Sequence, residues 1–432
     1  MTYWKIFAIA LPMILSAISV PMLGIVDTAI LGHLDSPRYL AAINIGTTIF
    51  NVLFWGFGFL KMSTTGLVAQ SYGEKNHNKC DLQLSQALLV ASFIAIVLLS
   101  FQSVIGSLSI KLLSQGGEVS ALTLQYYNVR IFSAPATLMI YVFMGYFLAI
   151  SQAKKVLYIM LVNQISNMLL DYLFVMHYHL GIVGVAYGSV ISEYLALILA
   201  FVFLIKSRYK LPTKSVFVQW LSNESNLKAF FNLNRDIFIR TLCLMLVFTL
   251  MTKGSAQMGE LTLAANAVLL NFFYLMTFAL DGFAHAVESL CGQAYGAKDK
   301  KDLLLVIKRV FVISIVVALF FSIIYLVFGD KIVNLLTSIT EVREYASHYI
   351  FWLVIIPLIA VASFVYDGLF IATTQGKIMR NSMLIATVFC YIPLWYLLRT
   401  YDNHGLWMAF LGFFIVRTIT IHLYFKKWIK TW

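Results

Sequence analysis

The sequence predicts an all-α integral membrane protein whose twelve transmembrane helices form two pseudo-symmetric six-helix lobes, a parallel repeat. Three observations carry this. Of 432 residues, 61% are hydrophobic and only 12% are charged, against roughly 45–50% apolar and about 25% charged in soluble domains. Apolar runs of about twenty residues, each able to cross ~30 Å of hydrocarbon as a helix, recur along nearly the whole chain. The stretch "LVAQSYGEKN" after the second run returns as "LCGQAYGAKD" after the eighth, sharing QxYGxK at the offset that carries Lys75 onto Lys298.

The first run, 6–33, is too long for a signal-peptide core and has no small-residue cleavage site behind it, so it reads as a retained span. Pro12 and Pro21 interrupt it, each freeing a carbonyl one turn earlier and permitting a bend. Ser16, Val20, Leu23 and Asp27 share one face at i, i+4, i+7 and i+11. Runs at 40–68, 83–106 and 125–150 follow. The fifth, 156–177, contains "NQISNMLLDYLF", which puts Asn163, Gln164, Asn167 and Asp171 on one stripe with Met160 and Met168 beside it. The sixth, 181–205, carries Ser189, with Glu193 one turn on.

A polar, basic linker at 206–228, read as an interfacial amphipathic segment, separates a first lobe (1–205) from a second (229–432). The second lobe repeats the pattern with runs at 229–257, 262–290, 303–328, 346–374, 381–398 and 404–425. Its acids are Asp281 and Glu288, on one face at i and i+7, and Asp367 in "VYDGLFIATTQG". Pairing with Arg235, Arg240 or His285 would make them structural.

Charge placement sets the orientation. Twelve spans put both termini on one side; that side collects twenty of the 31 Lys and Arg, the opposite side six, and five fall within or at the edges of spans. By the positive-inside bias the termini are cytoplasmic. The net charge of +12 is therefore a topology signal, and nucleic acid is not an expected partner. The four cysteines lie far apart without CxxC or Cys/His spacing, which suggests neither a disulfide framework nor a metal site. There is no HExxH, nucleophile motif or soluble catalytic module, so an enzyme is not expected and no cofactor is called for.

The repeat is extensive. The 36 pairs from Leu40/Leu263 to Lys75/Lys298 hold nine identities, and "GYFLAISQAK" from Gly145 matches "GLFIATTQGK" from Gly368 at five of ten positions. A constant offset means that loops match as well as helices. Six spans per copy insert in the same orientation, related by an axis along the membrane normal. Two such lobes facing each other across a cleft describe an alternating-access transporter.

The repeat also acts as an internal control. Asp27 maps to Leu250 and Asp171 to Leu394, so the shared scaffold needs neither acid. Carboxylates inside spans cost a few kcal/mol at least and usually mark an ion or proton path. The bland alternatives are a hydrated Asp27 near the outer interface and a fifth-run stripe that only bonds neighbouring helices.

The segments "VDTAILGHLDSPRYLAAINIGTTIFNVLFWGFGFLKMSTTGLVAQSYGEKN", "ALDGFAHAVESLCGQAYGAKD" and "YDGLFIATTQGKIMRNSM" resemble the DinF branch of the multidrug and toxic compound extrusion (MATE) transporters over essentially the full chain. The resemblance implies a two-lobed fold that exports organic, often cationic, compounds in exchange for H+ or Na+. It implies a coupling site at Asp27, Asn167, Asp171 and Ser189, the last standing where a threonine is usual. Relatives of the NorM type place their acidic cation site in the other lobe, which would correspond to Asp367.

These readings combine into an antiporter whose proton, or Na+ as the only expected metal ion, is held by Asp27 and Asp171 with Asn167 and Ser189. Its substrate cavity includes Asn163, Gln164, Met160 and Met168; Asp281, Glu288 and Asp367 are candidate second-lobe acids. A flippase of a lipid-linked precursor is the alternative. The expected setting is the bacterial cytoplasmic membrane, as a monomer, with small organic substrates and membrane lipids as partners.

Overall fold

The computed structural model describes the backbone of residues 2–31, 37–113, 116–207 and 224–432, and side chains at 2–20, 38–113, 116–207 and 231–432. The linker segment 208–223 and the side chain of Asp27 lie outside the described residues. Those described are overwhelmingly helical, with no strand among them. In the first half, α1 (Tyr3–Leu31), α2 (Pro37–Gly56), α3 (Phe59–Gly73), α4 (His77–Ser100), α5 (Gln102–Leu113), α6 (Gly117–Arg130), α7 (Ala134–Ala149), α8 (Ala153–Tyr172) and α9 (Gly181–Ile205) follow in order. In the second come α10 (Glu224–Gln257), α11 (Glu260–Gly296), α12 (Lys300–Leu336), α13 (Thr340–Ser347), α14 (Ile350–Ala372), α15 (Gly376–Leu384), α16 (Ile392–Leu397) and α17 (Asp402–Thr431).

Among the described residues, eleven helical segments are long and apolar enough to cross a membrane, against twelve expected. The difference lies in the last segment, Gly376–Thr431, at 56 residues. At ~1.5 Å per residue a straight helix of that length would be more than twice the hydrocarbon thickness. It is not straight: a 3₁₀ turn at Leu398–Tyr401 and Asp402 at φ +49° reverse it, and α17 packs back on the turns before it. Large apolar side chains face outward along the spans, for instance Leu335 at 84% exposure and Phe389 at 76%. In water such a surface would aggregate; in lipid it is the solvated face.

The duplication is written into the backbone. Among the described residues, the six non-glycine residues with positive φ fall into three pairs at the repeat offset: Lys75 and Lys298, Ser151 and Thr374, His179 and Asp402. The first pair closes its two helices with paired bonds, from Asn76 N to Ser71 O and Lys75 N to Tyr72 O, and likewise from Asp299 N to Ala294 O and Lys298 N to Tyr295 O. This Schellman geometry satisfies carbonyls a helix end would leave bare, and it places both QxYGxK segments at helix C-termini. The next helices start alike, with Asn76 accepting from Lys79 N and Asp299 from Asp302 N. A Cβ on Gly145 would lie 2.5 Å from Lys61 O, and one on Gly368 2.5 Å from Ala284 O. Both crossings need glycine, because membrane helices gain contact through close backbone approach rather than hydrophobic drive.

The chain divides into two compact units, Leu11–Glu224 and Met1–Ala10 with Ser225–Trp432. The division departs from chain order at α1, whose first turns group with the second unit: Phe7 meets Phe283 edge to face at 5.9 Å, and Arg309 lies 5.0 Å over the Tyr3 ring. The second unit is centred on aromatics including Phe273, Phe410, Phe414 and Trp407.

Candidate functional site

In the first unit, α8 runs along α9. The α8 stripe is buried, with Gln164 6% exposed, Asn167 4% and Asp171 1%, and its last two members meet that neighbour. Asn167 Nδ2 donates to Ser189 Oγ at 3.3 Å. One helical turn further along α8, Asp171 sits against Gly188, where a Cβ would lie 2.0 Å from Oδ1. Glycine at 188 therefore makes room for the carboxylate. Gln164 Oε1 is buried with no hydrogen-bond partner among the described residues. The structure thus brings Asn167, Asp171 and Ser189 together, with Gln164 one turn along the stripe. Asn163, Met160 and Met168 are half-buried on its flanks. The α1 backbone is helical through position 27.

One turn beyond Ser189 the same helix carries a cluster that sequence reasoning missed. Glu193, 7% exposed, accepts from Arg130 Nη2 at 2.5 Å and from the Thr137 hydroxyl. The Arg130 guanidinium lies 5.6 Å and 6.0 Å from the centroids of Phe50 and Phe54. Arg130 ends α6 and Thr137 begins α7, so this carboxylate ties three helices together. Buried pairs of this kind are satisfied only when each charge has its partner. The internal control of the repeat would have flagged them, since Arg130 maps to Leu353 and Glu193 to Val416.

Among the second-unit acids, Asp367 is held by two arginines and Glu288 by a histidine. Asp367 Oδ2 accepts from Arg240 Nη2 at 2.5 Å and from Arg417 Nη2. Asp281, half-buried, is near enough to Arg417 for their charges to interact. Glu288 bonds His285 Nδ1 at 3.0 Å. Arg235 turns instead to Asp236, which also pairs with Arg380 at 2.6 Å. A carboxylate held by two guanidiniums has its charge met from within the protein. The α8–α9 site differs in kind: an acid, an amide and a hydroxyl supply oxygens for a proton or a hard monovalent cation.

The chain matches the family described as MatE at residues 12–173 and 237–397. It is 38% identical over 421 residues to DNA damage-inducible protein F of Escherichia coli strain K12, covering 97% of this chain and 91% of that protein. Similarity to a probable multidrug resistance protein NorM of Bacillus cereus is 25% over 92% of this chain and 89% of that one. Among solved structures, one titled as the outward-facing conformation of a multidrug resistance MATE family transporter of the MOP superfamily superposes with a TM-score of 0.90. It shares 17% identity and covers 99% of this chain and 96% of that one, a likeness of fold.

Proposed function

The chain belongs to the MatE family, in its DinF branch, and on that premise we propose that it is a cation-coupled antiporter that exports small organic, typically cationic, compounds by alternating access. Membership makes it a multi-pass membrane transporter of a class that extrudes drugs and toxins. The observation that carries the finer reading is the α8–α9 site, where Asn167 bonds Ser189 and Asp171 fills the space left by Gly188. Asp27, on a helix whose sequence holds two prolines, supplies the second acid. Two carboxylates in one low-dielectric site hold a proton or a Na+ between them more readily than two bare charges. Binding the cation removes one of the site's two negative charges and releases a cationic substrate; substrate binding in turn displaces the cation. The twelve-helix count, the cytoplasmic termini, the bacterial cytoplasmic membrane and the monomeric state belong to the same proposal.

The alternative, a flippase of lipid-linked precursors, calls for a cavity with arginines free to bind phosphate. Four of the six non-exposed arginines among the described residues argue against it, because Arg130, Arg240, Arg380 and Arg417 each hold a carboxylate, whereas Arg309 and Arg343 hold none. The test is efflux of a cationic dye from proteoliposomes under an imposed pH gradient in sodium-free buffer, and separately under a Na+ gradient. Asp27→Asn and Asp171→Asn are expected to reduce coupled efflux to background under whichever gradient drives the parent protein. Undiminished coupling in either variant sinks the assignment of that acid.

A further inference from the structure

The far end of α17 and the start of α12 form one surface. Lys300 Nζ donates to Ile429 O at 2.9 Å and lies 5.9 Å over the Trp432 ring. Trp428 and Trp432 stack at 5.6 Å with their planes 6° apart, and both pack on Tyr295, at 6.0 Å and 5.0 Å. Phe370 meets Trp428 at 6.1 Å. These contacts turn the tryptophans onto α11 and α14 and fix which way the other side of the helix faces.

That other side is a single stripe. Ile419 and Leu423, 52% and 59% exposed, lead at i, i+4, i+7, i+8 and i+11 into Lys426, Lys427 and Lys430, all exposed. Lys298, Lys300 and Lys301 are exposed at the adjoining start of α12. Among the described residues none of the six lysines has a carboxylate within ion-pair distance. Compensation of a helix dipole takes one or two basic residues in the last turn. Lys300 and Lys301 stand instead at a helix N-terminus, where the dipole disfavours them. The equivalent helix α9 has Phe203 and Leu204 at the positions that the repeat aligns with Lys426 and Lys427, so the shared scaffold does not call for these two, although it does place Lys75 opposite Lys298.

We propose that this face binds an anionic phospholipid, with the headgroup phosphate among Lys426, Lys427, Lys430 and the α12 lysines and an acyl chain along Leu423 and Ile419. The stripe matches a lipid in length and polarity: apolar along Ile419 and Leu423, cationic where the helix ends. A nucleic acid or an acidic peptide would use the lysines and leave the apolar part of the stripe without a role.

The experiment is native mass spectrometry of the delipidated full chain with added phosphatidylglycerol or phosphatidylcholine. Phosphatidylglycerol is expected to be retained preferentially. The variant K426Q/K427Q/K430Q is expected to weaken that retention on the order of a hundredfold, since each lysine near an anionic surface contributes several-fold, while phosphatidylcholine binding stays unchanged. The arginine variant K426R/K427R/K430R keeps the preference and controls for folding. Equal retention of the two lipids by the parent chain overturns the proposal. So does displacement of phosphatidylglycerol by millimolar glycerol phosphate, which marks a soluble-phosphate site, or by a polyglutamate peptide, which marks a protein-binding one.

Discussion

In the first unit Asn167 and Asp171 look across to Ser189 and Gly188; in the second, Cys390 and Leu394 look across to Gly412, whose added Cβ would meet Leu394 Cδ1 at 2.7 Å and Cys390 Sγ at 3.5 Å. Gly412 is the repeat counterpart of Ser189, and Leu394 and Cys390 are those of Asp171 and Asn167. The helix crossing is thus retained while its chemistry is inverted from polar to apolar. A slip of one residue accompanies it, because Asp171 abuts Gly188 whereas Leu394 abuts the counterpart of Ser189. In an antiparallel pair, one extra residue in one helix moves the contact by one residue on the other. The π-helical turns account for it: one occurs at Leu173–His177, after Asp171, and the other at Ile385–Tyr391, before Leu394, and each inserts a residue at a different point. The reverse contrast holds elsewhere, since Asp367, Arg240 and Arg417 map back to Met144, Ala17 and Tyr194. Each unit carries a charged cluster where the other lacks one, and the acid at the first crossing, Asp171, lies beside an amide and a hydroxyl.

This asymmetry can be broken deliberately. The largest effect is expected from Asp171→Asn, with loss of gradient-driven dye efflux, whereas Asp367→Asn should leave coupling measurable in whatever protein folds. Equal loss in both would show that the units share the work. Stability should respond the other way. Asp367→Asn strands two buried guanidiniums and Arg130→Met strands Glu193; each is expected to cost about 3–5 kcal/mol, read as a fall in the detergent melting temperature. Adding Glu193→Gln to Arg130→Met should recover most of that loss, since removing both partners costs less than removing one.

A smaller effect is expected at the two helix crossings. Gly188→Ala puts a methyl where Asp171 Oδ1 lies and should displace the carboxylate, lowering the apparent affinity for the coupling ion and costing roughly 1–3 kcal/mol. Gly412→Ala meets only side-chain tips of Leu394 and Cys390 and should change the melting temperature less and transport not at all. The smallest is Ser189→Ala, which removes one bond between membrane helices, about 0.6 kcal/mol. Ser189→Thr retains the oxygen and should transport like the parent. A Ser189→Ala variant with parental ion dependence would take the hydroxyl out of the site.

Much of the candidate site was legible in the sequence because it is local or repeated. Asn163, Gln164, Asn167 and Asp171 declare themselves by helical spacing on an apolar run, and Asp171 by its apolar counterpart Leu394. Ser189 is 22 residues from Asn167 on the next helix, and helices joined by a short turn are neighbours by default. Glu193 was in view but lacked its meaning, since its partner Arg130 is 63 residues away on a helix whose rotation no local pattern specifies. Arg417 and Arg240 reach Asp367 across 50 and 127 residues, and for these acids the sequence offered several candidate partners without ranking them.

The sequence by itself therefore determined the medium, the all-helical class, the duplication and the residues that break it, because composition, periodicity and a constant offset are properties of the chain read along its length. Only the tertiary structure decided which buried charges are spent on one another. That choice depends on helix rotation and on register shifts of a single residue, such as the two π-turns, and these follow from packing across the bundle rather than from order along the chain.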